Sequence, residues 1–144
     1  MIIVIDASVA AKWFFQEGHS EAALNLLDNR FELNVPDFFF LEMNSLLCKR
    51  TRRRELSVTE ALEMDEEIGS IPIQSYPSAA LREKAFEIAL ETKCSIYDCL
   101  YLALAEALGV CMVTADKKFF RAIQNGPLSQ RMLWVEDIDA AKGR

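Results

Sequence analysis

The chain has 144 residues, 51% of them hydrophobic and 26% charged, a balance that suits one compact domain over 1–144 and excludes a disordered or fibrous protein. A formal charge of −6 argues against binding nucleic acid through bulk electrostatics. The single histidine, His19, excludes catalysis by a histidine pair, and its polar Glu17-Gly18-His19-Ser20 setting reads as solvent-exposed turn.

Ile2-Ile3-Val4-Ile5 is an unbroken β-branched run, the pattern of a central strand buried on both faces, and it ends abruptly at Asp6. Ser8 is then expected to cap a helix from Val9 to Gln16. A second helix over 20–28 would bury Ala23, Leu24 and Leu27. A strand over 32–35 leads through Pro36 into a longer helix over 37–53. Ser57-Val58-Thr59-Glu60 has the form of a capping box opening a helix that stops near Gly69. Ile71-Pro72-Ile73 reads as a short strand, kept to an edge by its proline, with a helix over 78–91 after it. Ser95 opens the most apolar helix, which ends at Gly109. Val110 to Val113 is a second buried strand, Asp116 starts a helix to Gln124, and Met132 to Val135 is the last strand.

Strands alternating with helices across short breaks predict a three-layer α/β/α sandwich around a mainly parallel sheet. In such folds the site lies beyond the carboxyl ends of the strands, where the strand order reverses. Asp6 follows the first strand directly, and Asp116 stands three residues past Val113.

Each acid has an ordinary structural reading. Asp6 and Asp116 are good helix caps, and Asp98 could complete a box with Ser95. Asp98 nevertheless lies in a run of Ile96, Cys99, Leu100, Leu102, Ala103 and Leu104, where an acid needs a partner or a metal. Glu42 interrupts an apolar stretch between Phe38 to Leu41 and Leu46-Leu47, where a salt bridge is the ordinary alternative. Asn44 and Ser45 are the nearby polar groups that could orient it.

Taken together, Asp6-Ala7-Ser8, then Glu42 in a helix after Pro36, then Tyr97-Asp98 with Tyr101-Leu102-Ala103-Leu104-Ala105, then Thr114-Ala115-Asp116 with Phe119, closely resemble the PIN-domain family over Ile2 to about Trp134. The opening Asp6-Ala7-Ser8-Val9 with Lys12-Trp13 is similar to the VapC-type toxins of bacterial and archaeal toxin–antitoxin pairs. Many relatives carry Asn three residues after the helical glutamate, whereas Ser45 holds that position here. The resemblance implies an endoribonuclease acting on RNA phosphodiester bonds through Asp6, Glu42, Asp98 and Asp116. It also implies a homodimer and a cognate antitoxin whose tail covers the acidic site.

The residue types suit that chemistry. A carboxylate-rich, nearly histidine-free set selects Mg²⁺ or Mn²⁺ over zinc. Asp6 and Asp98 are assigned as direct ligands. Glu42 and Asp116 are assigned to bind metal through water or to position the nucleophile, with Ser8 and Thr114 as secondary contacts. A bound cation also reverses the local sign that −6 would otherwise present to phosphate.

Lys49, Arg50, Arg52, Arg53 and Arg54 place five cations in six residues at the end of the Glu42 helix. At ~1.5 Å rise per residue they stand roughly 10 to 18 Å from Glu42, within reach of flanking phosphates, although a solvated helix end would look the same. Trp13, Phe14 and Phe15 are read as core rather than as stacking surfaces for bases. The four cysteines form no Cys-x-x-Cys pair, so they are expected as reduced, mostly buried thiols. The amino end lacks a basic secretory start and no apolar run is long enough to span a bilayer, which predicts a cytoplasmic protein with no membrane partner.

Rival readings are weaker. A phosphatase built on Asp-x-Asp would need an acid where Ser8 stands, and a receiver domain would need an acid near Ile73-Gln74-Ser75. A non-catalytic nucleic-acid-binding module on the same fold is the alternative from another class.

Overall fold

A computed structural model describes residues 1–138; residues 139–144, the end of the single domain assigned from sequence, lie outside the described residues. Five strands form one sheet in the order β3-β2-β1-β4-β5, and every neighbouring pair is parallel. The strands are β1 (Ile2–Ile5), β2 (Glu32–Pro36), β3 (Ile73–Tyr76), β4 (Cys111–Thr114) and β5 (Met132–Trp134). Ile3, Val4 and Ile5 are fully buried, as their uninterrupted β-branched pattern requires at the centre of a sheet covered on both faces.

Among the described residues seven α-helices make the outer layers: α1 (Ala7–Phe14), α2 (Ser20–Asn25), α3 (Phe38–Arg52), α4 (Val58–Ser70), α5 (Ser78–Thr92), α6 (Ile96–Leu108) and α7 (Lys117–Gln124). Right-handed crossovers put the helices that follow β1 and β2 on one face and those that follow β3 and β4 on the other. The packing agrees: α1 lies against α2 and α3, while α6 crosses β1, β2 and β4 beside α5. The chain steps outward from β1 to β3, then returns to place β4 on the opposite side of β1. The strand order therefore reverses between β1 and β4, and the carboxyl ends of these two strands form the switch point where sites lie in such sheets.

Local chemistry explains most element boundaries. Ser57 and Glu60 form the expected capping box at the start of α4. Gly109, with φ +68°, ends α6 in the left-handed conformation that glycine adopts without steric cost. Several boundaries differ from expectation, among them three that bear on the site or the core; α1 also ends at Phe14 instead of Gln16, β4 is Cys111–Thr114 instead of Val110 to Val113, and β5 stops at Trp134. Asp6, not Ser8, caps α1, so Ser8 falls inside the first turn. The third strand is Ile73–Tyr76, one step beyond Pro72; proline has no N–H for a ladder, and pairing with β2 begins at Ile73 opposite Leu33. The second helix stops at Asn25, and Leu26 rather than Leu24 or Leu27 enters the core, the latter two being 47% and 41% exposed.

The peripheral residues mostly follow the sequence reading. Trp13 is partly buried and donates its indole N–H to the Ala23 carbonyl at 2.8 Å, which ties α1 to α2. His19 is exposed, as expected, and pairs with Glu136. The cysteines are free thiols, but only Cys99 is buried; Cys48 is exposed on α3 and the other two are half-buried.

Candidate active site

Asp6 and Thr114 are 108 positions apart in sequence, but the β1–β4 register sets Ile5 beside Val113 and so brings the next residues of both strands together. Asp6 is 6% exposed. Its Oδ1 accepts from the Ser8 hydroxyl at 2.5 Å and from the Val9 amide at 3.2 Å, and its Oδ2 accepts from the Thr114 hydroxyl at 2.6 Å. Ser8 in turn accepts from the Ala115 amide at 2.9 Å, and Thr114 accepts from the Asp116 amide at 3.1 Å. Ser8 and Thr114, expected as secondary contacts, thus lock the two strand ends around one carboxylate.

Burial raises the Asp6 carboxyl from 3.8 to about 7, against the lowering effect of Ser8, Thr114 and Val9; the nearby Glu42 charge adds to the rise. Two hydrogen bonds fill Oδ1, whereas Oδ2 takes only one and keeps a lone pair to offer. Asp116 caps α7, accepting from the Phe119 amide at 3.1 Å through Oδ1. The cap readings of Asp6 and Asp116 therefore hold, and both acids also stand at the switch point.

The other two acids come from helices. Phe39, Met43 and Leu47 are the buried stripe of α3, and Glu42 borders it, half-buried. Glu42 accepts from the Tyr101 hydroxyl at 2.5 Å and makes no ion pair among the described residues. Its orienting partner is thus Tyr101 on α6, not Asn44 or Ser45: Asn44 turns away to Asp65 at 2.6 Å, and Ser45 is exposed. Asp98 stands on α6 three residues before Tyr101, on the same helical face. Ser95 caps α6 through the Tyr97 amide, leaving Asp98 with no hydrogen bond from the described residues. Its box with Ser95 does not form.

Burial raises both helical carboxyls, first for Glu42, where the Tyr101 hydrogen bond opposes it and the charges of Asp98 and Asp116 add to it. For Asp98 burial is followed by the charge of Asp116. The chain of mutual repulsion from Asp6 through Glu42 and Asp98 to Asp116 means that the fold gathers all four acids at one end of the sheet.

The donor set is entirely oxygen, the chemistry that suits Mg²⁺ or Mn²⁺. Among the described residues no three His, Cys, Asp or Glu side chains converge on a single point. Mg²⁺ keeps several waters and takes only one or two carboxylates directly, so the four acids need not all be ligands of an ion held there.

The basic run is divided. Lys49, Arg52, Arg53 and Arg54 are exposed, the last with φ +62° just past the helix end. Arg50, expected with the others to contact RNA, is engaged within the protein. It pairs with Glu17 and with Glu55 at 3.4 Å, and its guanidinium lies 3.8 Å from the centre of the Phe15 ring.

Comparison with known proteins places this arrangement. Residues 3–124 match the model of the PIN domain. Ribonuclease VapC3 of Pyrobaculum aerophilum is 34% identical over 122 residues, covering 82% of this chain and 92% of that protein. The crystal structure of PAE2754 from the same organism superposes with a TM-score of 0.66 at 18% identity, over 99% of this chain and 96% of the other. A chain of a toxin–antitoxin complex from Klebsiella pneumoniae gives 0.61 at 14% identity, over 91% and 95%. With an all-parallel sheet, four acids gathered at its switch point, and matches over most of its length, this chain belongs to the PIN-domain family, alongside the VapC ribonucleases.

Proposed function

We propose that the protein is an endoribonuclease that hydrolyses RNA phosphodiester bonds with Mg²⁺ or Mn²⁺, and that it is the toxin of a toxin–antitoxin pair. The observation that carries this reading is the mutual electrostatic coupling of Asp6, Glu42, Asp98 and Asp116 at the carboxyl ends of β1 and β4, in a chain similar to a VapC ribonuclease over most of its length. Burial first, and mutual repulsion after it, raises three of these carboxyls in the metal-free protein, and a bound cation would offset both by favouring the charged forms.

Asp6 and Asp98 would hold the ion directly, Asp6 through Oδ2 and Asp98 through a carboxylate that no donor of the described residues occupies. Glu42 and Asp116 would orient water at its edge. When bound, the cation supplies Lewis-acid polarisation of the phosphoryl oxygens and lowers the pKa of the attacking water. Ser8 and Thr114 keep the Asp6 carboxylate fixed, so that no reorganisation is required as charge develops. Lys49, Arg52, Arg53 and Arg54 would meet phosphates on either side of the cut.

A cognate antitoxin, a homodimeric state and a cytoplasmic location belong to the same proposal. No helix of the described residues is long and apolar enough to cross a membrane. The deciding experiment incubates the purified protein with a panel of structured and unstructured RNAs, with Mg²⁺, Mn²⁺ or a chelator. Cleavage that requires either ion and stops with EDTA is expected; full activity in excess EDTA would overturn the metal-dependent reading.

A further inference from the structure

Tyr101 is 1% exposed and lies between Leu100 and Leu102 in the most apolar helix of the protein. A phenol there must find an acceptor, or its hydroxyl stays desolvated and unpaired. The acceptor it finds is Glu42 Oε1, 2.5 Å away and 59 positions distant in sequence. A hydroxyl that donates to an ionised carboxylate makes a hydrogen bond about twice as strong as one between neutral groups. The second oxygen, Oε2, accepts no hydrogen bond from the described residues, so Tyr101 fixes one edge of the carboxylate and leaves the other for the acid cluster.

We propose that Tyr101 is the positioning residue of this site: it sets the orientation of Glu42 through one hydrogen bond between α6 and α3 and thereby tightens metal binding and turnover. The inference rests on the reading of Glu42 as part of the cleavage site. Its geometry is economical, because Asp98 and Tyr101 stand three residues apart on one face of α6, so a single helix supplies both a site carboxylate and the group that aims another. A tyrosine that merely filled space in the core would be replaced by phenylalanine at no cost to the site.

The test is a double-mutant cycle of Tyr101→Phe, Glu42→Gln and the pair together. It measures Mn²⁺ affinity by electron paramagnetic resonance without RNA, kcat and KM on a cleaved RNA, and the melting temperature. Loss of an orienting partner outside the metal's own ligands typically costs about 10- to 100-fold in metal affinity or activity. Tyr101→Phe is therefore expected to weaken Mn²⁺ binding and lower kcat by at least about 10-fold. KM for RNA should stay within a factor of about two, because uniform substrate binding is untouched. The double variant should be no worse than Glu42→Gln alone, since an oriented group that is gone cannot be misoriented. If Glu42→Gln is impaired while Tyr101→Phe matches wild type, or if the two losses add, Tyr101 does not act through Glu42 and the inference falls while the site stands. A Glu42→Gln protein with full affinity and activity overturns the reading of Glu42 and this inference with it.

Discussion

The acid cluster has two halves that are built differently. At the strand ends, Asp6 accepts three hydrogen bonds and caps α1, Asp116 caps α7, and Ser8 and Thr114 bind both carboxylate and backbone. On the helices, Glu42 has one hydrogen bond and Asp98 none from the described residues. Charge in the first half is woven into the fold, whereas charge in the second is a cost that folding alone does not require. A substitution at the strand ends mixes structural with chemical loss, and one on the helices separates them.

The sharpest way to break that comparison is Asp98→Asn. Removal of an acid that burial and the Asp116 charge both disfavour should leave the metal-free protein melting at the same temperature as wild type or higher. RNA cleavage should fall by about 100-fold or more, the scale seen when one preorganised electrostatic group is removed from an active site. Most of the rise in melting temperature that Mn²⁺ gives wild type should vanish as well. Calorimetry with and without the ion checks both points; a clearly less stable variant with its metal response intact would make Asp98 a structural acid.

Asp6→Asn should behave in the opposite way. The folded carboxyl is raised from 3.8 to about 7, so its favourable contribution is complete below about 4 and is lost as pH climbs through about 7. The uncharged acid can still accept from its neighbours, but an asparagine turns an amide N–H toward one of the hydroxyl or amide donors around it. At pH 4.5 the variant should therefore be less stable than wild type by about 1 to 3 kcal/mol. The gap should narrow toward pH 8 in metal-free buffer, where wild type must bury a charge and the variant does not. Urea titrations at the two pH values decide it, and a gap that widens with pH would contradict the raised carboxyl.

The same division explains what the sequence made legible. Asp6 and Asp116 are found by local rules, because a β-branched run that stops at an acid and an acid that opens a helix are both patterns of adjacent residues. The alternation of strands and helices was likewise enough for an α/β/α sandwich. The partners of the acids were not legible: Thr114 reaches Asp6 because the parallel register sets the ends of β1 and β4 side by side, and Tyr101 reaches Glu42 across 59 positions of sequence. Asn44 and Ser45 were attractive by proximity, but closeness in sequence did not turn either side chain toward Glu42. One available signal was Tyr101 itself, a hydroxyl placed three residues after Asp98 in an otherwise apolar run. The buried face of α2 was misread because six residues give too few turns to fix a helical phase.

The smallest expected effects concern the basic end of α3, where the comparison of woven and free charge repeats with the opposite sign. Arg50 is held by Glu17, Glu55 and the Phe15 ring, whereas Lys49, Arg52, Arg53 and Arg54 are exposed. If the free cations meet phosphates, Arg52→Ala or Arg53→Ala should raise KM for RNA by a few-fold and leave kcat unchanged. Removing one cation from a phosphate should make the dependence of log affinity on log salt shallower by about 1. Arg50→Ala should do neither, but should lower stability by about 1 kcal/mol because it removes the stacking on Phe15 and the ion pairs. Filter binding of a catalytically dead Asp98→Asn background across a salt series separates the two kinds of arginine, because the slope reports phosphate neutralisation irrespective of sequence. Equal slopes for Arg50→Ala and Arg52→Ala would show that the exposed cations are a solvated helix end and that phosphate is met elsewhere on the molecule.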